Sequence, residues 1–224
     1  MKRQQQGFTL VEIAIVLVII GLLLSGILKG QAMIVQATIK NAIAEFSGVA
    51  AAYYGYNDRY GALPGDDPKA NRWAGGEAGT GDGVVAGTYN GACPETVLAA
   101  TSETCKFWDH LRRAGFVAGM GGRQPFNAST GFIGVQTGDG NAVPASILPA
   151  PGPTGFTGLM ICSANLPDKI SISIDTQMDD GVPGTGMMRG IFQTTSNPPV
   201  TNATAPPGAY AETGTNTYAL CRAF

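Results

Sequence analysis

From Phe8 to Leu28 the chain is apolar apart from Thr9, Glu12, Ser25 and two glycines. As an α-helix this run spans roughly 31 Å at about 1.5 Å per residue, close to the hydrocarbon thickness of a bilayer. A stretch that is apolar all round must be buried on every side, in lipid or among other apolar helices. Lys2 and Arg3 precede it and Lys29 follows. That weak basic bias predicts a cytoplasmic N-terminus with the bulk of the chain across the membrane.

The helix does not stop at the end of the apolar run. Residues 1–60 contain no proline, whereas all 14 prolines fall in residues 61–224. Proline lacks the N–H a helix interior needs and clashes with the preceding turn, so the spacing predicts one helix to residue 60, stopped by Ala62-Leu63-Pro64-Gly65. After Lys29 the all-round apolar pattern narrows to a stripe: Leu28, Ala32, Val35, Ile39, Ala42, Phe46, Val49, Tyr53 and Tyr56. Gln31, Gln36, Lys40, Asn41, Glu45 and Ser47 take the other faces. This half is amphipathic and its seam requires a partner surface. Phe46, Tyr53, Tyr54, Tyr56 and Tyr60 are read as packing under the chain's own globular part.

Glu12 is the anomaly of the span. A carboxylate one turn inside a membrane helix is costly and usually marks function. No lysine or arginine lies within a turn of it. The string Lys2-Arg3-Gln4-Gln5-Gln6-Gly7-Phe8-Thr9-Leu10-Val11-Glu12-Ile13 resembles the N-terminus of the type IV pilin and pseudopilin superfamily. It has the short basic leader, the glycine at the cut site, the phenylalanine as first mature residue and the glutamate four positions on. The resemblance implies that a membrane prepilin peptidase cuts between Gly7 and Phe8 and methylates the new amino group of Phe8. Residues i and i+4 of one helix share a face, but the bond can equally form between subunits, and Glu12 is expected to neutralise the amino group of an adjacent copy and so register one copy against the next. A secretory signal peptide fits less well, because Gly30-Gln31-Ala32 is a poor cleavage site and the seam runs through it. A plain signal anchor leaves the Gly-Phe-Thr-Leu-Val-Glu string unexplained. Many pilins carry a proline in mid-helix where this chain has Lys29; Gly21, Gly26 and Gly30 could soften the same region.

Composition narrows what the rest does. Charged residues make up 13% and the net charge is −2, which is not the footprint of a nucleic-acid binder. The one histidine, His110, makes a histidine-based triad a poor expectation, and no G-x-S-x-G or H-E-x-x-H string occurs, so the chain is expected not to be an enzyme. His110 reads as a surface or packing residue of a helix. The four cysteines, Cys93, Cys105, Cys162 and Cys221, would lie in an oxidising compartment and pair, with three connectivities open. Cys93–Cys105 with Cys162–Cys221 is preferred: the first closes a short loop before a helix, the second ties the last strand to an inner one. Loop entropy puts them at about 3 and about 4 kcal/mol.

The fold class expected is α+β, a long N-terminal helix packed on a small antiparallel sheet with long loops, the pilin layout. Its divisions would be a leader (1–7), a transmembrane and assembly helix (8–28), its amphipathic continuation (29–60) and a disulfide-bonded head (61–224). Strand candidates are Gly131–Thr137, Phe156–Cys162, Met187–Gln193 and Thr217–Ala223, each bounded by Gly, Pro or Asn. A second helix is expected from Glu103 to Ala114 with Ser102 as N-cap, Gly115 as stop, and Phe107 and Leu111 inward. Residues 169–178 alternate like a strand at Ile170, Ile172 and Ile174 yet share a helical face at Ile170, Ile174 and Met178. Residues 194–208 are expected as an exposed loop.

Leu63-Pro64-Gly65-Asp66, Gly81-Asp82-Gly83, Trp108-Asp109-His110-Leu111 and Asp179-Asp180-Gly181 loosely resemble a group of bacterial pilin-like proteins. Some pseudopilins bind calcium, and Asp82, Asp139, Asp179 and Asp180 are the candidates here, Asp179 and Asp180 foremost. None has the D-x-[DN]-x-[DN]-G spacing, and aspartate beside glycine is ordinary turn chemistry, which is the preferred reading; no cofactor is expected. The sequons at Asn127 and Asn202 read as chance. The resemblance implies a structural subunit of a bacterial type IV pilus, for adhesion, motility or DNA uptake. The alternative is a pseudopilin of a type II secretion pseudopilus. The partners implied are further copies of the chain, the prepilin peptidase, an inner-membrane assembly platform and, before assembly, membrane lipid. The precursor would sit in the inner membrane and the product in an extracellular or periplasmic filament.

Overall fold

The computed structural model describes residues 9–99, 101–138, 156–200 and 206–224. The chain divides into two compact units, one ending at Lys40 and the other running from Asn41 to Phe224. Helix α1 (Leu10–Tyr60) is the 51-residue helix that the absence of proline predicted. From Leu10 to Leu28 its apolar side chains stand open: Leu10, Leu17 and Leu22 are each more than 60% exposed. This stretch is long and apolar enough to cross a membrane, by length and composition.

In the second unit α1 turns amphipathic, and Ala42, Phe46, Val49, Ala52 and Tyr56 are buried along one face. Tyr53 is half-buried. Tyr54, expected to pack underneath, is 56% exposed instead; it lies on the flank of the seam with its ring edge-on to Tyr53 and Phe224. The chain leaves α1 through Gly61, which donates to the Asn57 carbonyl at 2.7 Å with φ +63°, a glycine stop of the left-handed kind.

The helix packs on a four-stranded antiparallel sheet of β1 (Ile133–Thr137), β2 (Leu159–Pro167), β3 (Met188–Phe192) and β4 (Thr217–Ala223), in the order β1-β2-β4-β3. Registers Val135↔Ile161 and Cys162↔Cys221 fix which side chains share a face. Met160, Cys162, Ala164, Ile191, Ala219 and Cys221 make one buried face, completed by Tyr89, Phe156 and Val200 from loops. Ile161 and Arg222, on the other face, line a small cavity with Ala50 and Tyr54 of α1, which places the helix on that side. Helix α2 (Glu103–Arg113) lies near β1 and is buried from Glu103 to Leu111. Helix α3 (Asp168–Met178) contacts β2, β3 and β4.

Three sequence expectations move. The second strand begins at Leu159 rather than Phe156 and continues to Pro167, because the buried alternation Met160, Cys162, Ala164 runs on past the cysteine. Residues 169–178 resolve as helix, with Ile170 and Ile174 buried one turn apart. The stretch from residue 194 is not simply exposed. Val200 is fully buried, Pro198 accepts the Tyr89 hydroxyl at 2.7 Å, and the Val200 carbonyl accepts from Gln136 at 3.0 Å. Residues 201–205 lie outside the described residues.

Candidate functional site

Helix α1 opens on a closed ring of polar contacts. The Thr9 hydroxyl accepts the Glu12 backbone N–H at 3.3 Å, while Glu12 Oε2 accepts the Thr9 N–H and the Thr9 hydroxyl, each at 2.8 Å. Thr-x-x-Glu is thus a reciprocal capping box, and it satisfies one of the four N–H groups that a helix start leaves orphaned. The carboxylate is also placed where the helix dipole favours negative charge. Among the described residues its hydrogen-bond partners are all on Thr9. Open apolar side chains follow immediately, Leu10 at 87% exposure and Val11 at 65%. Gly7 and Phe8 lie outside the described residues.

The far end of α1 is held by a second polar cluster that sequence reasoning did not assemble. Tyr56 is fully buried and donates its hydroxyl to Asp67 Oδ2 at 2.7 Å, and Arg72 pairs with the same carboxylate at 3.0 Å. Burial and the Asp67 carboxylate hold the Tyr56 phenol far above its ordinary range. Beside it the His110 ring stacks on Tyr56 at 6.3 Å between centroids. Its Nδ1 accepts the Gly65 N–H at 2.9 Å, and its Nε2 donates to the Glu77 carbonyl at 2.8 Å. Both nitrogens are therefore spent on the main chain, and the packing reading of His110 is what the structure shows.

Two acidic clusters bring three carboxylates within 4.8 Å of one another: Asp66, Asp82 and Glu103, and Asp175, Asp179 and Asp180. In the first, Asp66 accepts from the N–H groups of Gly81, Asp82 and Gly83 and from the Thr80 hydroxyl. Glu103 accepts from the Thr80 N–H and hydroxyl and from the Ala86 N–H. Main-chain N–H groups and the Thr80 hydroxyl thus converge on the Asp66 and Glu103 oxygens, and the cluster anchors the loop. In the second, Asp179 accepts the Met188 N–H at 2.8 Å, and Asp180 accepts the Val182 N–H and the Thr185 hydroxyl. Asp175 Oδ2 takes the Tyr210 hydroxyl at 2.6 Å. Burial raises the Asp175 carboxyl above the usual range. Asp179 and Asp180 thus act as turn acceptors, with Asp175 behind them. Asp82 is exposed, and Asp139 lies outside the described residues.

Cys93 is bonded to Cys105 and Cys162 to Cys221. The second pair joins directly opposed residues of β2 and β4. Ser102 stands at the N-cap of α2 without capping it; its hydroxyl turns to Thr104 and the Cys105 sulfur instead. Asn127 is buried, and its amide donates to the Ser163 hydroxyl and the Ala164 carbonyl, so that sequon is engaged internally. The sequon at Asn202 lies outside the described residues.

No curated protein and no solved structure matches the chain. Over residues 2–28 it matches the family model described as the prokaryotic N-terminal methylation motif, the type IV prepilin signature, which supports a type IV pilin- or pseudopilin-like precursor.

Proposed function

We propose that the chain is a structural subunit of a bacterial type IV pilus filament, assembled through its N-terminal helix. The peptidase cuts between Gly7 and Phe8 and methylates Phe8, residues 8–28 hold the subunit in the inner membrane and then in the filament, and the disulfide-bonded head faces outward. The single observation that carries this reading is Glu12, an acid inside an apolar run with no basic side chain within a turn and, among the described residues, capping bonds from Thr9 alone. A carboxylate so placed is matched by the amine that cleavage creates four residues earlier. In the precursor the Thr9 cap satisfies it. In the filament the amine of Phe8, on its own or a neighbouring chain, supplies the opposite charge at the same depth.

The chemistry of the head is consistent with a structural role. His110, the one histidine of the sequence, has both nitrogens bonded to the backbone and none to offer a substrate. Assembly is proposed to need no cofactor, and the Asp179–Asp180 turn is the proposed place for a calcium ion.

The test is Glu12→Leu expressed in cells that make the filament. N-terminal mass spectrometry is expected to show normal cleavage and methylation at Phe8, while sheared surface fractions contain less than about a tenth of the wild-type subunit, since more than 1.4 kcal/mol of lost registration is a factor of ten. Wild-type incorporation of the variant, or an uncut methionine start in the native protein, removes the proposal. Short fibres that appear only on overproduction, with secretion lost on deletion, would assign the chain to a pseudopilus.

A further inference from the structure

We infer that His110 is an acid-sensitive latch: in its neutral form it ties the turn after α1 and the loop at Glu77 onto α2, and protonation of its ring releases them. The hydrogen bonds fix the tautomer. An N–H can only donate, so Nδ1, facing the Gly65 N–H at 2.9 Å, must be bare, and the proton sits on Nε2, facing the Glu77 carbonyl at 2.8 Å. A second proton can go only to Nδ1, where it would meet the Gly65 N–H head on. The bond then becomes a donor–donor clash. Toward α2 the turn has no room to slide. Gly65 has φ +92°, and the space where a Cβ would stand is 2.6 Å from the Glu103 carbonyl and 3.2 Å from Phe107. Opening of the turn is the remaining response.

The surroundings of the ring set the direction. From α1 comes Tyr56, stacked on it with planes 15° apart, and from the loop Trp73 at 6.4 Å. From the turn comes Asp67, engaged by Tyr56 and Arg72. From α2 come Asp109, bridged to Arg113 at 2.6 Å, and Lys106, whose ammonium donates to the Ala78 carbonyl. Asp66 and Glu103, nearby, are satisfied by their own N–H donors. The two carboxylates Asp67 and Asp109 favour the imidazolium and Lys106 opposes it, but burial outweighs them and the ring titrates below the ordinary histidine range. A histidine held neutral in the folded state contributes stability that is complete above its unfolded pKa of about 6.5 and drains away as the pH falls below that value. The sequence has no other histidine, so imidazole ring signals report this residue alone.

The experiment uses the full chain in detergent, comparing amide hydrogen exchange, corrected for intrinsic rates, at about pH 7.5 and about pH 5 while the His110 ring protons are followed by NMR. Protection of Gly65 and of residues 74–83 is expected to fall severalfold at the lower pH, in step with a ring titration below the usual range, while β2 and β4 keep theirs. His110→Asn, whose side-chain oxygen can stand in for Nδ1 without titrating, is expected to show no pH-dependent loss. If that variant does not fold, the wild-type comparison decides alone. Unchanged protection at Gly65 through the ring titration, a ring midpoint at the ordinary histidine value, or a loss that persists in His110→Asn would each overturn the inference.

Discussion

Asp66 gathers four donors on one carboxylate: the Thr80 hydroxyl at 3.0 Å, Gly81 N–H, Asp82 N–H at 3.1 Å and Gly83 N–H at 2.8 Å. Gly81 and Gly83 both have positive φ, which lets the loop curl its N–H groups toward one point. Removing the acceptor strands several partly buried donors at once, and each stranded group costs about 1–3 kcal/mol. Asp66→Ala is therefore expected to lower the urea-unfolding free energy by about 3 kcal/mol, and Asp66→Asn, which keeps one oxygen, by roughly half of that. An alanine variant with an unchanged urea midpoint would show that the loop finds other acceptors. The sequence marked this loop only in outline. Leu-Pro-Gly-Asp and Gly-Asp-Gly read as turns, but nothing in their composition says that one carboxylate closes over the other segment or that Thr80 is shared with Glu103, because loops carry no period. Glu12 is the contrary case. Its meaning lies in contrast with the apolar residues around it, which is visible in one dimension.

The elements themselves were read to the extent that their pattern was local. α1 followed from missing prolines and a seam of alternating threes and fours, and β1, β3 and β4 from short runs between turn residues. The α3 stretch was ambiguous because isoleucine at every second position suits a strand. What decides it is the buried pair Ile170 and Ile174 meeting three strands at once, a tertiary fact. Both sheet edges are covered. β1 receives the segment at Val85, whose carbonyl accepts the Thr137 N–H at 3.3 Å. β3 spends its Met188 and Gly190 N–H groups on Asp179 and Pro183. Strand addition at an edge is thereby discouraged. The two disulfides should differ in weight. Cys93–Cys105 closes a separation of 12 residues and Cys162–Cys221 one of 59. Serine pairs at these positions are expected to cost about 3 and about 4 kcal/mol, the longer loop more, read as shifts in urea midpoint. The reverse order would mean that the Cys93 loop holds α2 by more than chain entropy.

At the scale of the molecule, the boundary that matters for folding is not the end of α1. Phe46, Val49, Ala52 and Tyr56 are core residues of the unit that begins at Asn41, even though they belong to the helix and precede the head as composition would draw it. Filling a core is a matter of buried area, whereas proline and glycine frequencies report only where the backbone stops being helical. A chain of residues 41–224 is accordingly expected to fold, to run as a compact species without detergent, and to keep both disulfides under mild reduction. A chain of residues 61–224 lacks a large phenylalanine, a buried tyrosine and the Tyr56 hydroxyl that Asp67 accepts, and truncations of that size cost about 3–5 kcal/mol for a single aromatic residue. With total stability of about 5–15 kcal/mol for a domain, losing several such residues leaves nothing to hold the sheet. The comparison is made by near-UV circular dichroism and size-exclusion chromatography of the two fragments. A cooperative thermal transition in the shorter fragment would mean that the sheet, α2 and α3 form a core of their own and that α1 is only laid upon it.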